Sequence, residues 1–153
     1  MANLEQQAAT AIDKLMQSAP DQLYAELGLR QKAILQDPKV AGLFDPDVSY
    51  DAPFAGPLDV LKEFGQDLFD RLSKSVYDLI CGTGSENEED RKKIEVAIGL
   101  GATATATALA SLLVGSFFLA PAIAAVVATI AVKLFFKATY GAFCATWKKH
   151  LPA

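Results

Sequence analysis

The side chains with which this chain of 153 residues could do chemistry are few, and their spacing suits catalysis poorly. His150 is the only histidine and stands three residues from the C-terminus, which removes most Ser-His and Cys-His nucleophile pairs and most zinc sites. Cys81 and Cys144 are two isolated thiols. The opening residues lack both a basic n-region and an apolar h-region, so no secretory signal is read there, and the thiols are expected to be reduced and packed rather than bridged. Palmitoylation of Cys144, beside Phe143 and Trp147, is the functional alternative.

The carboxylates of the first ninety residues are scattered over presumed polar helix faces, where solvation is the ordinary state. The densest group, Asp45, Asp47 and Asp51, lies in a proline-rich connection and reads as solvated rather than metal-binding. Gly82, Thr83, Gly84 and Ser85 resemble half a phosphate loop. They lack the Gly-Lys-Ser/Thr ending and follow a helix instead of a strand, so Gly82 and Gly84 are expected to serve as a hinge. No enzyme, cofactor or metal is expected from these residues.

Charge is divided unevenly along the chain. Residues 1–90 hold 17 acidic and 7 basic side chains, whereas residues 91–153 hold one acidic and 7 basic, giving halves of about -10 and +6 within a net charge of -4. The acidic front half argues against nucleic acid, which needs a basic face to neutralise phosphates. It also offers a surface on which a regulatory protein could bind.

The elements that must position these residues are helical. Leu4, Ala8, Ile12 and Leu15 recur at helical spacing behind Asn3. Pro20 opens a second helix with Leu23, Tyr24, Leu27, Ile34 and Leu35 as its apolar positions, and Asp37-Pro38 ends it before a short helical turn to about Phe44. Residues 45–56 form an irregular connection. From Pro57 an amphipathic helix carries Leu61, Phe64, Leu68, Leu72, Val76 and Leu79 on one stripe and closes at Gly82. Ser85 and Glu88 form a capping box for the next helix, which is expected to continue through Arg91, Lys92 and Lys93 into apolar sequence.

That apolar sequence dominates the back half. Residues 96–132 contain no Asp, Glu, Lys, Arg or His, and one straight helix of that length would run about 55 Å, well beyond a bilayer core of about 30 Å. Divided at residues 115–121, it becomes a hydrophobic helical hairpin. The first arm is a weak membrane element by insertion energetics, about -3 kcal/mol before its glycines and hydroxyls are counted; the second arm is stronger. The alternation in residues 102–108 suggests a strand, yet its alanine content and context favour helix.

The predicted fold class is therefore all-α, with an N-terminal amphipathic helical domain over residues 1–84 and a hydrophobic hairpin of two candidate transmembrane helices over residues 85–153. Steps of four place Glu95, Gly99, Thr103, Thr107 and Ser111 in one small-and-polar row and Thr129, Lys133 and Lys137 in another. These rows are read first as hairpin packing, with hydroxyls bonding across, and alternatively as the lining of an aqueous path. An ion pair between Glu95 and Lys137 is expected. Arg91, Lys92, Lys93, Tyr140, Trp147, Lys148 and Lys149 are candidate membrane-interface anchors. Their basic members put both termini on the cytoplasmic side of a cytoplasmic membrane.

The functional expectation is a small membrane-active protein, a pore-forming or depolarising effector or toxin that acts on the lipid bilayer as a homo-oligomer, with a latent form in the cytoplasm. The arrangement resembles in outline the hydrophobic hairpin of pore-forming colicins and of two-span holins, with no shared residue motif. The alternatives are a helical-bundle interaction or scaffold module with the hairpin in its core or an oligomer interface, and a passive membrane anchor that recruits a partner.

Overall fold

The computed structural model describes residues 4–82 and 88–151, and all regular structure among them is helical. The helices are α1 (Leu4–Leu15), α2 (Pro20–Gln36), α3 (Leu58–Cys81), α4 (Glu88–Leu100), α5 (Ala102–Gly115), α6 (Pro121–Phe135) and α7 (Tyr140–Lys149), with a 3-10 turn over Pro38–Gly42. Prolines set several starts, because a fixed φ and a missing N–H cost nothing in a first turn. Pro20 and Pro121 begin α2 and α6, and Pro57 caps α3. Ser85 and Gly84 lie outside the described residues, and so do the expected capping box and half of the expected hinge; Gly82 caps the C-terminus of α3.

The core is built around α6. Twelve of its fifteen residues are buried, including every residue from 122 to 132. A helix that is apolar on all sides must be covered on all sides, by lipid or by protein, and here α1, α2, α5 and α7 supply protein. Residues of both halves of the chain enter one continuous core, from Ala8 and Ile12 to Phe143 and Trp147.

The two hairpin arms are not straight. The first breaks at Gly101, whose φ of 115° lies in a region that side chains rarely adopt, so α4 and α5 meet there at an angle instead of forming one helix. The second breaks after Phe135, where α6 and α7 are bent by 96°. No single helix among the described residues is long and apolar enough to cross a membrane; the bent pair α6 and α7 passes the test of length and composition only when taken together. The turn between α5 and α6 does fall at the expected place, with Phe118 at φ 60° and 87% exposed.

Two expected stripes are displaced. The buried line of α3 runs Leu61, Gly65, Phe69, Ser73, Val76 and Ile80, while Phe64, Leu68, Leu72 and Leu79 flank it half-buried. On α2, Leu35 is 69% exposed, and Gly28, Leu29 and Arg30 are buried because α3 and α6 pack on different sides of the helix. Gly28 and Gly65 mark where α2 and α3 cross closely: a Cβ on Gly65 would stand 1.7 Å from the Tyr24 carbonyl oxygen, and one on Gly28 would stand 2.3 Å from that of Leu61.

The cysteines overturn the expectation of free thiols. Cys81, at the end of α3, is bonded to Cys144 of α7 with Cα atoms 5.7 Å apart. The fold brings the last turn of α3 against the middle of α7, a proximity that sequence spacing does not reveal. Cys144 therefore offers no thiol for palmitoylation.

Candidate functional site

The crook between α4 and α5 opens a surface groove of about 660 Å3, with the first turns of α1 as its third wall. Gly101, with its positive φ, separates the two helices that form its walls. Val96 and Leu100, 67% and 75% exposed, rise from α4, while Ala104 and Ala108 of α5 and Ala9 of α1 keep the floor low. Thr103 and Thr107 line the same groove. The Thr107 hydroxyl donates to the Thr103 carbonyl at 2.9 Å, so it needs no hydrogen bond from an occupant.

Charge stands at the rim. Lys92 and Lys93 come from α4 and Glu5 from α1. Lys92 reaches Glu88 at 3.5 Å, but both side chains are well exposed and such a pair is weak. Lys93 is exposed and makes no ion pair among the described residues.

A second polar cluster lies where the 43–57 connection meets the bundle. Arg30, 1% exposed, donates from Nε to Glu26 at 2.7 Å and from Nη1 to the carbonyls of Phe44 and Ala122 at 2.8 and 3.0 Å. Its Nη2 stands 3.5 Å from Asp45, which also receives Lys14 at 2.7 Å. The Tyr50 hydroxyl donates to Glu26 at 3.0 Å. Burial, followed by the Glu26 charge, pushes the Tyr50 phenol above its ordinary range. The hydrogen bond to Asp45 raises the Lys14 ammonium. Clefts of about 610 and 450 Å3 flank this cluster, yet its charges are committed to one another. Its work is to fix α2, the connection and the start of α6 together.

The structure brings Lys92, Lys93, Thr103 and Thr107 into one groove and disperses the other candidates. Glu95 and Gly99 are exposed on α4, and a Cβ on Gly99 would meet nothing within 4 Å, so that glycine permits no close helix approach. Ser111 donates to the Thr107 carbonyl and the buried Thr129 to the Ala125 carbonyl, so the expected bonds across the hairpin are replaced by bonds within each helix. Lys133 and Lys137 are exposed near the end of α6. The Glu95–Lys137 ion pair is not formed among the described residues, because the break after Phe135 takes Lys137 off the α6 axis.

Of the candidate anchors, Trp147 is fully buried, its indole N–H donating to Ser73 Oγ at 2.8 Å and its ring stacked on Phe135 at 5.5 Å. It is a core side chain of the α3–α6–α7 junction. Tyr140 donates its hydroxyl to the Ile80 carbonyl, and burial raises its phenol. Arg91 is half-buried, while Lys148 and Lys149 are exposed in the last turn of α7, where cations suit the helix dipole. His150 is exposed, with Nδ1 2.9 Å from the Thr146 carbonyl, and among the described residues no three His, Cys, Asp or Glu side chains gather as metal ligands.

Sequence reasoning missed Arg30, the Gly28–Gly65 crossing and the bridge. The only signal for Arg30 was Glu26 one turn earlier, a spacing that ordinarily marks a surface pair.

These features define an all-α bundle with an enclosed apolar helix and an open, lysine-rimmed groove. The chain matches no protein-family model, no curated protein and no solved structure.

Proposed function

We propose that this protein is a non-catalytic binding module, a helical bundle that uses its apolar hairpin as its core and the α1–α4–α5 groove as its contact surface. The observation that carries this reading is the complete enclosure of residues 122–132 by the chain's own helices, while Val96 and Leu100 stand exposed on the rim of an open groove. Enclosure accounts for the apolar composition of α6 without lipid. Contiguous exposed apolar surface beside a groove marks a contact site more than singly exposed apolar side chains do, and Val96 and Leu100, four residues apart on α4, lie together along this one.

Fractionation with a carbonate wash tests the reading. The protein should leave the membrane fraction and run as a single species without detergent; retention in the washed membranes would refute it. The bonded cysteines favour an oxidising compartment over the cytoplasmic residence expected from the sequence, since thiols are kept reduced in the cytosol.

A second reading is a stored membrane-active form that inserts as an oligomer, and one observation favours it. The turn of the most apolar hairpin presents Phe118, 87% exposed, at its tip. A spanning α6–α7 segment would require the 96° bend to open, and Cys81–Cys144 pins α7 to α3 across that bend. Reduction should then switch on dye release from liposomes. Equal silence in the bonded and reduced forms would dismiss this second reading.

A further inference from the structure

We infer that the α1–α4–α5 groove binds a free anionic amphiphile of the fatty-acid class, with its hydrocarbon chain along the groove and its carboxylate at Lys92 and Lys93. This inference rests on the binding-module reading and names the ligand class of the same groove.

Three observations converge. The groove's volume of about 660 Å3 lies in the ordinary range of small-ligand sites, roughly 300–1,000 Å3. Its walls are mainly apolar, with Thr103 and Thr107 as the hydroxyls among them, and its floor is low: Val96 and Leu100 are exposed while Ala104 and Ala108 are small, a shape that admits a slim chain more readily than bulky side chains. Charge is gathered at its rim, where Lys92, weakly held by Glu88, and Lys93 stand with one lining carboxylate, Glu5, and the Lys93 ammonium favours an anionic head. From Lys92 to Leu100 the groove follows about two turns of α4, roughly 12 Å, enough for a medium-length acyl chain. Lys93, without an ion-pair partner among the described residues, gains one when a carboxylate binds.

The test is calorimetric titration of the full chain with dodecanoate below its micellar concentration. Methyl dodecanoate serves as the uncharged control, and sedimentation reports the mass. Saturable one-to-one binding is expected. The Lys92→Glu/Lys93→Glu double variant should bind about 10-fold to 100-fold more weakly through loss of charge-assisted contacts. Ala104→Phe, which fills the floor, should abolish binding while the helical signal and melting profile stay unchanged. A second charge pair, Lys92→Gln/Lys93→Gln, guards against misfolding of the first. No saturable binding by the folded protein, equal binding of the methyl ester, retention in the charge-reversed variant, or occupation of the groove by a second copy would each overturn the inference and leave the module reading intact. A chain recovered only from carbonate-washed membranes would instead overturn the module reading itself.

Discussion

Arg30 on α2 donates to the carbonyl of Ala122, in the first turn of α6, at 3.0 Å. A guanidinium 1% exposed spans 92 residues of sequence to hold the start of the most apolar helix, and the same nitrogen also holds Phe44. Its charge is offset by Glu26 and Asp45, so the group is a satisfied buried ion rather than an isolated one.

Removing that ion should be costly. Arg30→Ala would leave the Phe44 carbonyl without its donor, take the second donor from the Ala122 carbonyl and leave Glu26 with Tyr50 alone, and a loss of about 3–5 kcal/mol is expected from removing one partner of a buried ion pair. Urea denaturation measures it. Arg30→Lys should recover only part of the loss, because an ammonium cannot reproduce the planar fork that reaches the connection and α6 together.

The α2–α3 crossing predicts a second large effect. A Cβ on Gly65 would collide with the Tyr24 backbone, and backbone cannot swing aside as a side-chain tip can. Gly65→Ala should therefore destabilise by at least about 1–3 kcal/mol, the usual range for overpacking, although alanine is the better helix former. Gly99→Ala is the control: nothing lies within 4 Å of its Cβ, and a small gain is expected.

Reduction of Cys81–Cys144 should lower stability by about 4 kcal/mol, given a bridge closing a loop of 63 residues. Melting with and without reductant checks this, and Cys144→Ser should match the reduced protein. Tyr140, which bonds Ile80 one residue before Cys81, and the Trp147–Ser73 hydrogen bond continue to hold α7 on α3, so the helical content of the reduced form should persist below its melting range.

Alkali should destabilise the bundle. Burial raises the phenols of Tyr24, Tyr50 and Tyr140 above the ordinary tyrosine value in the folded chain, with acidic neighbours adding to the effect at Tyr24 and Tyr50 and Arg91 opposing it at Tyr140. The folded state thus retains protons that the unfolded chain releases, so this contribution is full below about pH 10 and is lost as pH rises through the raised folded values. Tyr50 is 43% exposed, and water screens much of its share, so Tyr50→Phe should flatten the alkaline slope of the midpoint only in part.

Much of the helical layout was legible in residues with local meaning. Pro20, Pro57 and Pro121 marked starts, Gly82 marked an end, and residues 115–121 marked the hairpin turn. The break at Gly101 was hidden just ahead of the alternating Ala and Thr of residues 102–108, in an apolar run with no proline to mark it; its φ of 115° shows what that glycine is for. The α3 stripe was read from its large apolar residues, whereas its buried line includes Gly65 and Ser73, chosen by a crossing helix and by the Trp147 indole. The bridge and the Arg30–Ala122 contact join residues 63 and 92 apart and follow from tertiary proximity alone. Of the candidate site, Lys92, Lys93, Thr103 and Thr107 were marked for charge and small size, but their common groove depends on the turn at Gly101. Periodicity could not separate lipid from protein around α6, because a helix apolar on every side suits both.

Hydrogen exchange at the backbone amides of residues 124–132, in buffer without detergent or lipid, tests the enclosure of α6 most directly. These amides should be among the slowest in the chain, exchanging only through global unfolding, and added vesicles should leave them unchanged. Rapid exchange in buffer, with protection appearing only when vesicles are supplied, would contradict the account.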